Sequence, residues 1–351
     1  MPIRYGIIGT GMMGWEHIRN LALIDAAQVT AVADPDPGSR EVARHAEPGA
    51  AVFEDYRALL RAPLDAVVIA TPNHTHGAVL RDVFATDLHV LVEKPLCTTI
   101  EDCHALADGA ARHRGIVWVG LEYRFVPTVA RLIAAVRDGA VGRLRMVAIR
   151  EHRFPFLVKV GNWNRFARNT GGTLVEKCCH FFDLMALLTA QRPVRVYASG
   201  AQDVNHLDER YDGAVPDIID NAFAVVDFDR GARALLDLCM FAENSTNEME
   251  LAVTGDAGKV EAFVPAHRLV LSRRDRLVRE EEQVAIDPAI RDAGFHHGAT
   301  YYQHLAFLDA IRAGRAPTVS VADGALAVAM GMAAERSARE RRPVELAELG
   351  F

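Results

Sequence analysis

A glycine-rich motif near the start of the chain could bind a dinucleotide. Gly9-Thr10-Gly11-Met12-Met13-Gly14 is a GxGxxG motif that follows an apolar strand and opens a predicted helix. In this context the first glycine allows a tight turn, the second lets the backbone approach a pyrophosphate, and the third allows close helix–strand packing. Free N–H groups at the start of the helix favour the phosphate. We predict Gly9, Gly11, Met12, Met13 and Gly14 as cofactor-binding residues.

An acidic residue follows where a ribose contact is expected. Asp34 ends the predicted second strand, about 20 residues beyond the motif, the usual distance for a carboxylate that accepts from ribose hydroxyls. Such a carboxylate would repel a 2′-phosphate, so the position favours NAD, while Ser39 and Arg40 leave NADP possible. The alternative is a glycine turn in a protein that binds no nucleotide. The strand before the motif, the helix after it and Asp34 at the expected distance argue against this alternative.

A loop after the predicted strand Ala66 to Ala70 is a second candidate contact. It leaves the carboxyl end of a parallel strand, which is where ligands bind in such sheets. We predict Thr71, Asn73 and His76 as cofactor contacts. The histidines of this loop could equally cap the helix that follows.

Glu93-Lys94-Pro95 stands at the end of the next predicted strand, again on the ligand-facing edge. The bond before Pro95 permits a cis peptide. We predict Glu93 and Lys94 as cofactor contacts, and Lys94 also as a catalytic and substrate-binding residue. The alternative is a lysine on the surface.

A third motif combines a carboxylate with an imidazole. Gly171-Gly172 precedes an apolar stretch that predicts one helix from Gly172 to Leu188, on which Glu176 and His180 would share a face. This pair suits proton transfer, because the carboxylate orients the ring and histidine titrates near neutral pH. Metal binding would need a further ligand at a suitable spacing. The sequence supplies none clearly, even at His296, His297 and His304, so we predict no metal site.

Polar clusters in the rest of the chain supply candidates for substrate binding. One follows the last strand of the N-terminal region, one precedes the double-glycine motif, and one precedes a C-terminal helix. A tryptophan among amide and guanidinium groups would suit a sugar ring, although a core tryptophan is equally compatible with the sequence. The predicted substrate contacts are Tyr123, Arg124, Trp163, Arg165 and His297, with Lys94, Glu176 and His180.

Composition excludes several classes of protein. The 351 residues carry a formal charge of −7, which argues against a duplex nucleic-acid partner because phosphate binding needs a basic face. No apolar run reaches the roughly 18 residues that span a bilayer, and Met1-Pro2-Ile3-Arg4 does not resemble a secretory signal. Five cysteines in no regular pattern fit reduced thiols. We expect a cytoplasmic protein with a small-molecule partner.

The order of predicted elements indicates two domains. Residues 1–121 alternate strands and helices, which is typical of a doubly wound parallel α/β sheet. Within this region, Thr98 and Glu101 predict a capping box. Residues 122–351 show alternating strands joined by turns such as Asp229-Arg230-Gly231, with helices around them. They predict an α+β domain with a large, mainly antiparallel open sheet.

The motifs together resemble the Gfo/Idh/MocA family of nicotinamide-dependent oxidoreductases, which includes glucose–fructose oxidoreductase and inositol dehydrogenases. The resemblance covers the GxGxxG motif, Glu93-Lys94-Pro95 and the double-glycine motif ending in His180, and so spans nearly the whole chain. It implies a Rossmann domain followed by an α+β domain whose open sheet serves in self-association, here as a dimer or tetramer. It also implies NAD(P)-dependent oxidation of a sugar or cyclitol hydroxyl, or reduction of the matching ketone.

Residue roles follow from the same resemblance. His180 would be the general acid or base, and Lys94 would hydrogen-bond the reacting oxygen. Glu176 stands where the family usually has aspartate, and would fix the substrate or the imidazole. Lys177 beside it would lie near the site or point away from it.

Two other functions remain open from the sequence. One is a glycosidase-like or lyase reaction that uses tightly held NAD for transient oxidation and elimination, a chemistry that some relatives show. The other is a regulator that senses NAD without catalysis, which the presence of both Lys94 and His180 disfavours.

Overall fold

The computed structural model describes residues 1–277 and 279–351, which form two compact units. The first unit comprises Met1–Glu122, Lys159–Trp163 and Asp287–Val328. The second unit comprises Tyr123–Val158, Asn164–Ile286 and Ala329–Phe351. The predicted domains 1–121 and 122–351 share the first boundary with this division. They differ from it over residues 159–163 and 287–328, which belong to the first unit.

The bounds of the strands and α-helices are as follows. In chain order the strands are β1 (Ile3–Ile8), β2 (Ala27–Ala33), β3 (Ala51–Phe53), β4 (Ala66–Ile69), β5 (His89–Glu93), β6 (Val117–Gly120), β7 (Leu144–His152), β8 (Pro193–Ala201), β9 (Asn221–Phe228), β10 (Arg233–Cys239), β11 (Met249–Gly255), β12 (Gly258–Val264), β13 (Arg268–Arg273), β14 (Arg279–Gln283) and β15 (Val344–Glu345). The α-helices are α1 (Met12–Leu21), α2 (Pro37–Ala46), α3 (Tyr56–Leu59), α4 (His76–Val83), α5 (Ile100–Arg112), α6 (Pro127–Arg137), α7 (Ala167–Thr170), α8 (Thr173–Glu176), α9 (Cys179–Thr189), α10 (Pro288–Arg291), α11 (Ala299–Ala313) and α12 (Val321–Glu340).

A parallel sheet forms the centre of the first unit, in the order β3-β2-β1-β4-β5-β6. Its strand β4 is wholly buried, and its continuous apolar sequence is typical of a strand covered on both faces. Helix α11 packs against α1, and the Val119 N–H on β6 donates to Val319 O at 3.2 Å. These contacts explain why residues 287–328 belong to the first unit.

The second unit is built on a sheet in the order β14-β13-β12-β11-β7-β10-β9-β8-β15. Strands β7 and β10 run parallel and the other neighbours run antiparallel, so the predicted mainly antiparallel sheet is confirmed. Strand β14 was not predicted, because its sequence Arg279-Glu280-Glu281-Glu282-Gln283 is polar and wholly exposed and therefore lacks the alternation of a half-buried strand.

The predicted single helix from Gly172 to Leu188 is wrong. The chain forms α8 and α9, which Lys177 and Cys178 separate. At this break the Cys178 N–H donates to Thr173 O, five residues earlier, at 3.3 Å, so the turn is wider than an α-helical turn. Glu176 therefore ends α8 while His180 lies in α9, and the argument that they share a face of one helix no longer applies.

The predicted capping box of α5 is also displaced by one residue. Thr99, rather than Thr98, is the N-cap, and its Oγ1 accepts a hydrogen bond from the Asp102 N–H at 3.1 Å. Asp55 caps α3 by accepting from the Arg57 N–H at 2.9 Å. Across residues 1–277 and 279–351, no helix is both long and apolar enough to cross a membrane.

Candidate active site

The GxGxxG loop between β1 and α1 has the geometry of a dinucleotide cradle. Gly9 has a φ of +89°, and a Cβ there would lie 2.6 Å from Ala70 O. A Cβ on Gly14 would lie 2.0 Å from Gly9 O, so the helix packs too closely to the loop for any side chain at that position. A Cβ on Gly11, by contrast, would meet no atom within 4 Å. The backbone at Gly11 therefore borders open space, as the approach of a pyrophosphate to the backbone requires.

The start of α1 is available to an anion. Gly11 is its N-cap residue and makes no side-chain capping bond. Because the N–H groups in the first turn of a helix have no partner within the helix, those of Met12 and Met13 suit a phosphate oxygen.

Asp34 is held rigidly at the end of β2. Its Oδ2 accepts from the Thr10 N–H at 2.7 Å, and its Oδ1 accepts from the Asp36 N–H at 2.9 Å. Oδ2 also accepts from Thr10 Oγ1 at 3.3 Å, whereas Oδ1 keeps a second lone pair that can accept from a ribose. The Arg40 guanidinium donates to Asp34 O and Pro35 O at 2.8 and 2.9 Å, and so is committed to the backbone of this turn.

The loop after β4 contains one residue suited to a ligand and one that supports the loop. Asn73 is buried, and its Nδ2 has no hydrogen-bond partner among the described residues, so it can donate to a cofactor. Thr71 lies beside it and its Oγ1 accepts from Thr75 Oγ1 at 2.7 Å. His76 is wholly buried, with Nδ1 2.8 Å from Pro95 O and Nε2 2.9 Å from Thr71 O. Both nitrogens lie within hydrogen-bonding distance of backbone carbonyls, so His76 supports the position of these loops. Its predicted contact with the cofactor stays a prediction.

The end of β5 rests on a buried contact between a carboxylate and an imidazole. Glu93 Oε1 lies 3.0 Å from His17 Nε2, and Glu93 Oε2 accepts from the Lys94 N–H at 3.2 Å. Burial by itself raises the pKa of Glu93, but the bond and charge of His17 outweigh it and hold this pKa below the usual range. Lys94 is half-buried, and its bond to Pro95 is cis. The Glu93 side chain thus supports the backbone of Lys94, and its predicted contact with the cofactor stays a prediction.

His180 stacks on an aromatic ring in the second unit. The Tyr123 and His180 rings are parallel to within 8°, with centroids 4.0 Å apart. Both are buried, as is Glu176. Stacking of this kind fixes the plane of the imidazole, which is what a proton-transfer residue needs.

Lys177 is the residue at this site whose position the sequence left open. Its Nζ donates to Tyr123 Oη at 2.6 Å and lies 2.8 Å from Glu151 Oε1. Burial lowers the pKa of Lys177, and the Arg153 charge lowers it further. Glu151 on β7 and Arg153 just after it complete the cluster, with their side chains 3.4 Å apart. Sequence analysis missed both, because charged residues near the end of a strand give no signal of burial.

Two predicted substrate contacts have partners within the protein. The Arg124 guanidinium forms a two-point ion pair with Asp183 on α9, with Arg124 Nε donating to Asp183 Oδ2 at 2.7 Å. Arg165 Nε donates to Glu209 Oε2 at 3.1 Å. Both arginines are buried. A buried guanidinium paired at two points with a carboxylate is poorly placed to bind a neutral substrate, so Arg124 is better suited to holding its loop in place. Arg165 Nη1, by contrast, is buried and has no hydrogen-bond partner among the described residues, and the predicted substrate contact of Arg165 stays a prediction.

The other predicted contacts are half-buried. The Trp163 ring centroid lies 6.3 Å from that of His74, and the Lys159 ammonium lies 4.6 Å from the Trp163 ring centre. Trp163 is half-buried and is therefore not a core tryptophan. His297 has a φ of +53° in the turn before α11. Lys94, Trp163 and His297 belong to the first unit, and Tyr123, Glu176 and His180 belong to the second.

Two family models match the chain. Residues 3–121 match the NAD-binding Rossmann fold of the GFO_IDH_MocA oxidoreductase family, and residues 133–346 match the C-terminal alpha/beta domain of that family. The chain belongs to this family. It is an oxidoreductase with an NAD-binding domain, and the predicted resemblance is confirmed.

Individual family members match over most of the chain. It is 31% identical over 242 residues to the rhizopine catabolism protein MocA of Rhizobium meliloti, covering 67% of this chain and 70% of that protein. It is 27% identical over 356 residues to myo-inositol 2-dehydrogenase of Thermotoga maritima, covering 99% of each. A solved levoglucosan dehydrogenase in complex with NADH and levoglucosan has a TM-score of 0.85 and 22% identity, covering 99% of this chain and 100% of that one. The last comparison shows a common fold.

A buried carboxylate beneath the double-glycine motif predicts a pH-dependent stability. Glu335 Oε1 accepts from the Leu174 N–H at 2.9 Å, and burial raises the pKa of Glu335 to about 7. In the unfolded chain a glutamate titrates near pH ~4.3. The stabilising contribution of Glu335 is therefore complete below the unfolded pKa and is lost as pH rises through about 7.

Replacing Glu335 with glutamine removes this proton uptake and keeps the acceptor for Leu174. We expect the free energy of unfolding of Glu335→Gln, relative to the unmodified protein, to increase between about pH 5 and pH 7 with a slope of about 1.4 kcal/mol per pH unit, and then to level off. Urea unfolding at a series of pH values measures the difference. Two parallel stability curves would show that Glu335 is already ionised in the folded protein.

Proposed function

We propose that the protein transfers a hydride between a nicotinamide and a secondary alcohol or ketone of a sugar or cyclitol. The observation that carries the proposal is the open space beside the Gly11 backbone, at the start of a helix that no side chain caps. Asp34, fixed at the end of the neighbouring strand, supports the same cofactor site. The substrate class is supported by relatives whose names are myo-inositol 2-dehydrogenase and levoglucosan dehydrogenase.

The cofactor is NAD rather than NADP in this proposal. The Asp34 carboxylate is preorganised by two backbone N–H groups, and the neighbouring guanidinium of Arg40 already donates to two backbone carbonyls. Gly11, Met12, Met13 and Asn73 would hold the pyrophosphate and neighbouring groups. NAD, when bound, supplies the hydride acceptor or donor.

The protein's own contribution is to move a proton and stabilise charge. We assign His180 as the general base for oxidation and the general acid for reduction. Lys94 hydrogen-bonds the reacting oxygen and stabilises its negative charge as the proton leaves. Glu176 contacts the substrate or the imidazole. His180 is supported by the parallel ring of Tyr123, and Lys94 is supported by Glu93 directly before it.

A panel of inositols, monosaccharides and glycosides, each assayed with NAD and with NADP, tests the proposal. We expect NADH to accumulate with a free cyclitol or sugar, and a higher kcat/KM with NAD than with NADP. Cleavage of a glycoside without net NADH would indicate transient oxidation and elimination instead. Failure to bind NAD would contradict the proposal, and a higher kcat/KM with NADP would contradict the role of Asp34.

The outer face of the large sheet supports self-association, which the sequence resemblance implies. Along β9, Ala222, Ala224 and Val226 are buried, while Phe223 and Val225 on the other face are 60% and 40% exposed. Val225 lies between Tyr197 on β8 and Leu235 on β10, which are also exposed. An apolar row across three strands is typical of an interface, and we propose that a second copy of the chain covers it.

Placing a charge in this row should dissociate the oligomer. We expect Phe223→Glu to elute as a monomer, because a carboxylate buried at an apolar interface loses its hydration. Size-exclusion chromatography with light scattering measures the mass, and Val42→Glu, at an exposed valine on α2, serves as the matched control. An unmodified protein that is monomeric, or a Phe223→Glu oligomer of unchanged mass, would contradict this interface.

A further inference from the structure

The first unit contains a buried cluster of two carboxylates and an imidazole that the proposed function does not use. Glu16 lies on α1, Glu122 follows β6, and His296 precedes α11. Glu16 is 1% exposed, Glu122 is fully buried and His296 is half-buried. We propose that Glu16, Glu122 and His296 bind a divalent transition-metal ion, Zn²⁺ or Mn²⁺, that ties these three segments together.

The distances between the possible ligand atoms suit such an ion. His296 Nδ1 lies 3.0 Å from Glu16 Oε1 and 3.6 Å from Glu122 Oε1. One ligand atom from each residue lies within 4.8 Å of the other two. Ligands held about 2.0–2.2 Å from a metal ion at tetrahedral angles are about 3.4 Å apart, so little movement is needed to admit an ion.

The hydrogen bonds of the cluster leave a carboxylate oxygen without a donor. Thr300 Oγ1 lies 3.0 Å from Glu16 Oε1 and 2.7 Å from Glu122 Oε2. A hydroxyl has one hydrogen, so it can donate to only one of the two carboxylates at a time. Glu122 Oε1 is buried and has no hydrogen bond among the described residues. A buried carboxylate oxygen in this state is costly unless a proton or a cation binds it.

The charges of the cluster favour a cation. Glu16 and Glu122 are both buried, and their carboxylates lie 3.0 and 3.6 Å from the same imidazole nitrogen of His296. One imidazolium can therefore compensate one carboxylate and leaves the second in excess. A divalent cation bound to a neutral His296 would balance both.

The donor set indicates the class of ion. An imidazole nitrogen with two carboxylate oxygens suits Zn²⁺ or Mn²⁺, whereas Ca²⁺ and Mg²⁺ prefer oxygen ligands alone. Thr300 or water would complete the coordination. Sequence analysis found the histidine but no matching carboxylates, because Glu16 and Glu122 lie far from it along the chain.

Metal titration of the full chain tests the proposal. After dialysis against a chelator, the protein is incubated with Zn²⁺ or Mn²⁺, desalted and analysed by elemental mass spectrometry, and the Kd is measured against a chromophoric chelator. We expect one ion per chain. The nearly isosteric variant Glu122→Gln and the variant His296→Asn should each bind about 100-fold more weakly or worse. His45→Asn, which removes an exposed histidine 3.5 Å from Glu41 on α2, should bind like the unmodified protein.

A thermal readout keeps the test independent of activity. Zn²⁺ or Mn²⁺ should raise the Tm of the unmodified protein and leave that of Glu122→Gln unchanged, because a ligand that binds only the folded state stabilises it. Without metal, Glu122→Gln should be at least as stable as the unmodified protein, since it removes an uncompensated charge. No stoichiometric ion in the unmodified protein, or binding lost in His45→Asn and kept in Glu122→Gln, would overturn the proposal. Should Glu122→Gln fail to fold, Glu16→Gln and the titration of the unmodified protein decide the question.

Discussion

Replacing His180 with asparagine is expected to lower kcat by about 10²–10⁴-fold, the usual contribution of a positioned general acid or base. The imidazole is buried and lies parallel to the Tyr123 ring at 4.0 Å, so its orientation is set before a substrate binds. Asparagine retains polarity but cannot exchange a proton near neutral pH. Steady-state kinetics with the best substrate of the panel measures the loss.

The pattern of the loss separates catalysis from folding. The Kd for NAD should stay unchanged in His180→Asn, because Gly11, Met12 and Asp34 form the proposed cofactor site. The limb of the pH–rate profile that reports imidazole ionisation should disappear. His45→Asn, at an exposed histidine on α2, should keep the kcat of the unmodified protein. Activity retained in both His180→Asn and His180→Ala would refute the proposed role of His180.

Replacing Lys94 with methionine should reduce kcat by about 10²–10³-fold, as loss of one stabilising donor to a developing oxyanion typically does. Methionine keeps much of the length and apolar character of the lysine stem but removes the charged donor. Lys94 is half-buried, and its backbone N–H donates to Glu93, which His17 contacts in turn. The substitution should leave this backbone in place, so we expect the loss of kcat to come from removal of the amine. Kinetics together with a measured Kd for NAD separate this loss from a change in binding.

The chain offers a matched control for Lys94. Lys259 on β12 is half-buried, like Lys94, and its Nζ lies 2.6 Å from Glu261 Oε1. Lys259→Met removes the same charge and should leave kcat unchanged. Equal losses of kcat in the two variants would mean that the effect of Lys94→Met comes from removing a positive charge anywhere in the protein. A Lys94→Met variant with normal kcat would show that another group stabilises the reacting oxygen.

Much of the fold follows from patterns that are local in the sequence. The apolar run of β4 predicts a buried strand from a few consecutive residues. The glycines before α1 likewise predict a tight turn from the motif alone. The break between α8 and α9 escapes such analysis, because Leu174, Val175 and Cys178 continue an apolar helical pattern through it. The long-range packing of residues 287–328 with the N-terminal region has no local signal either.

The candidate site shows the same limit at the level of single side chains. Arg124 and Arg165 lie in polar clusters that suggest substrate contacts, but Asp183 and Glu209 neutralise them from later in the chain. Pairing between residues far apart in sequence is set by tertiary packing, which one sequence does not reveal. The glycine roles were predictable because they depend on backbone geometry that the motif itself dictates.

The most direct test of the central claim is the mass of the nicotinamide after one turnover with a substrate deuterated at its carbinol carbons. The protein is incubated with NAD and deuterated members of the inositol and sugar panel, and the reduced cofactor is analysed by mass spectrometry. Hydride transfer predicts NADH that carries one deuterium from the substrate. Reduced cofactor without deuterium, or no reduced cofactor with any member of the panel, would contradict the account.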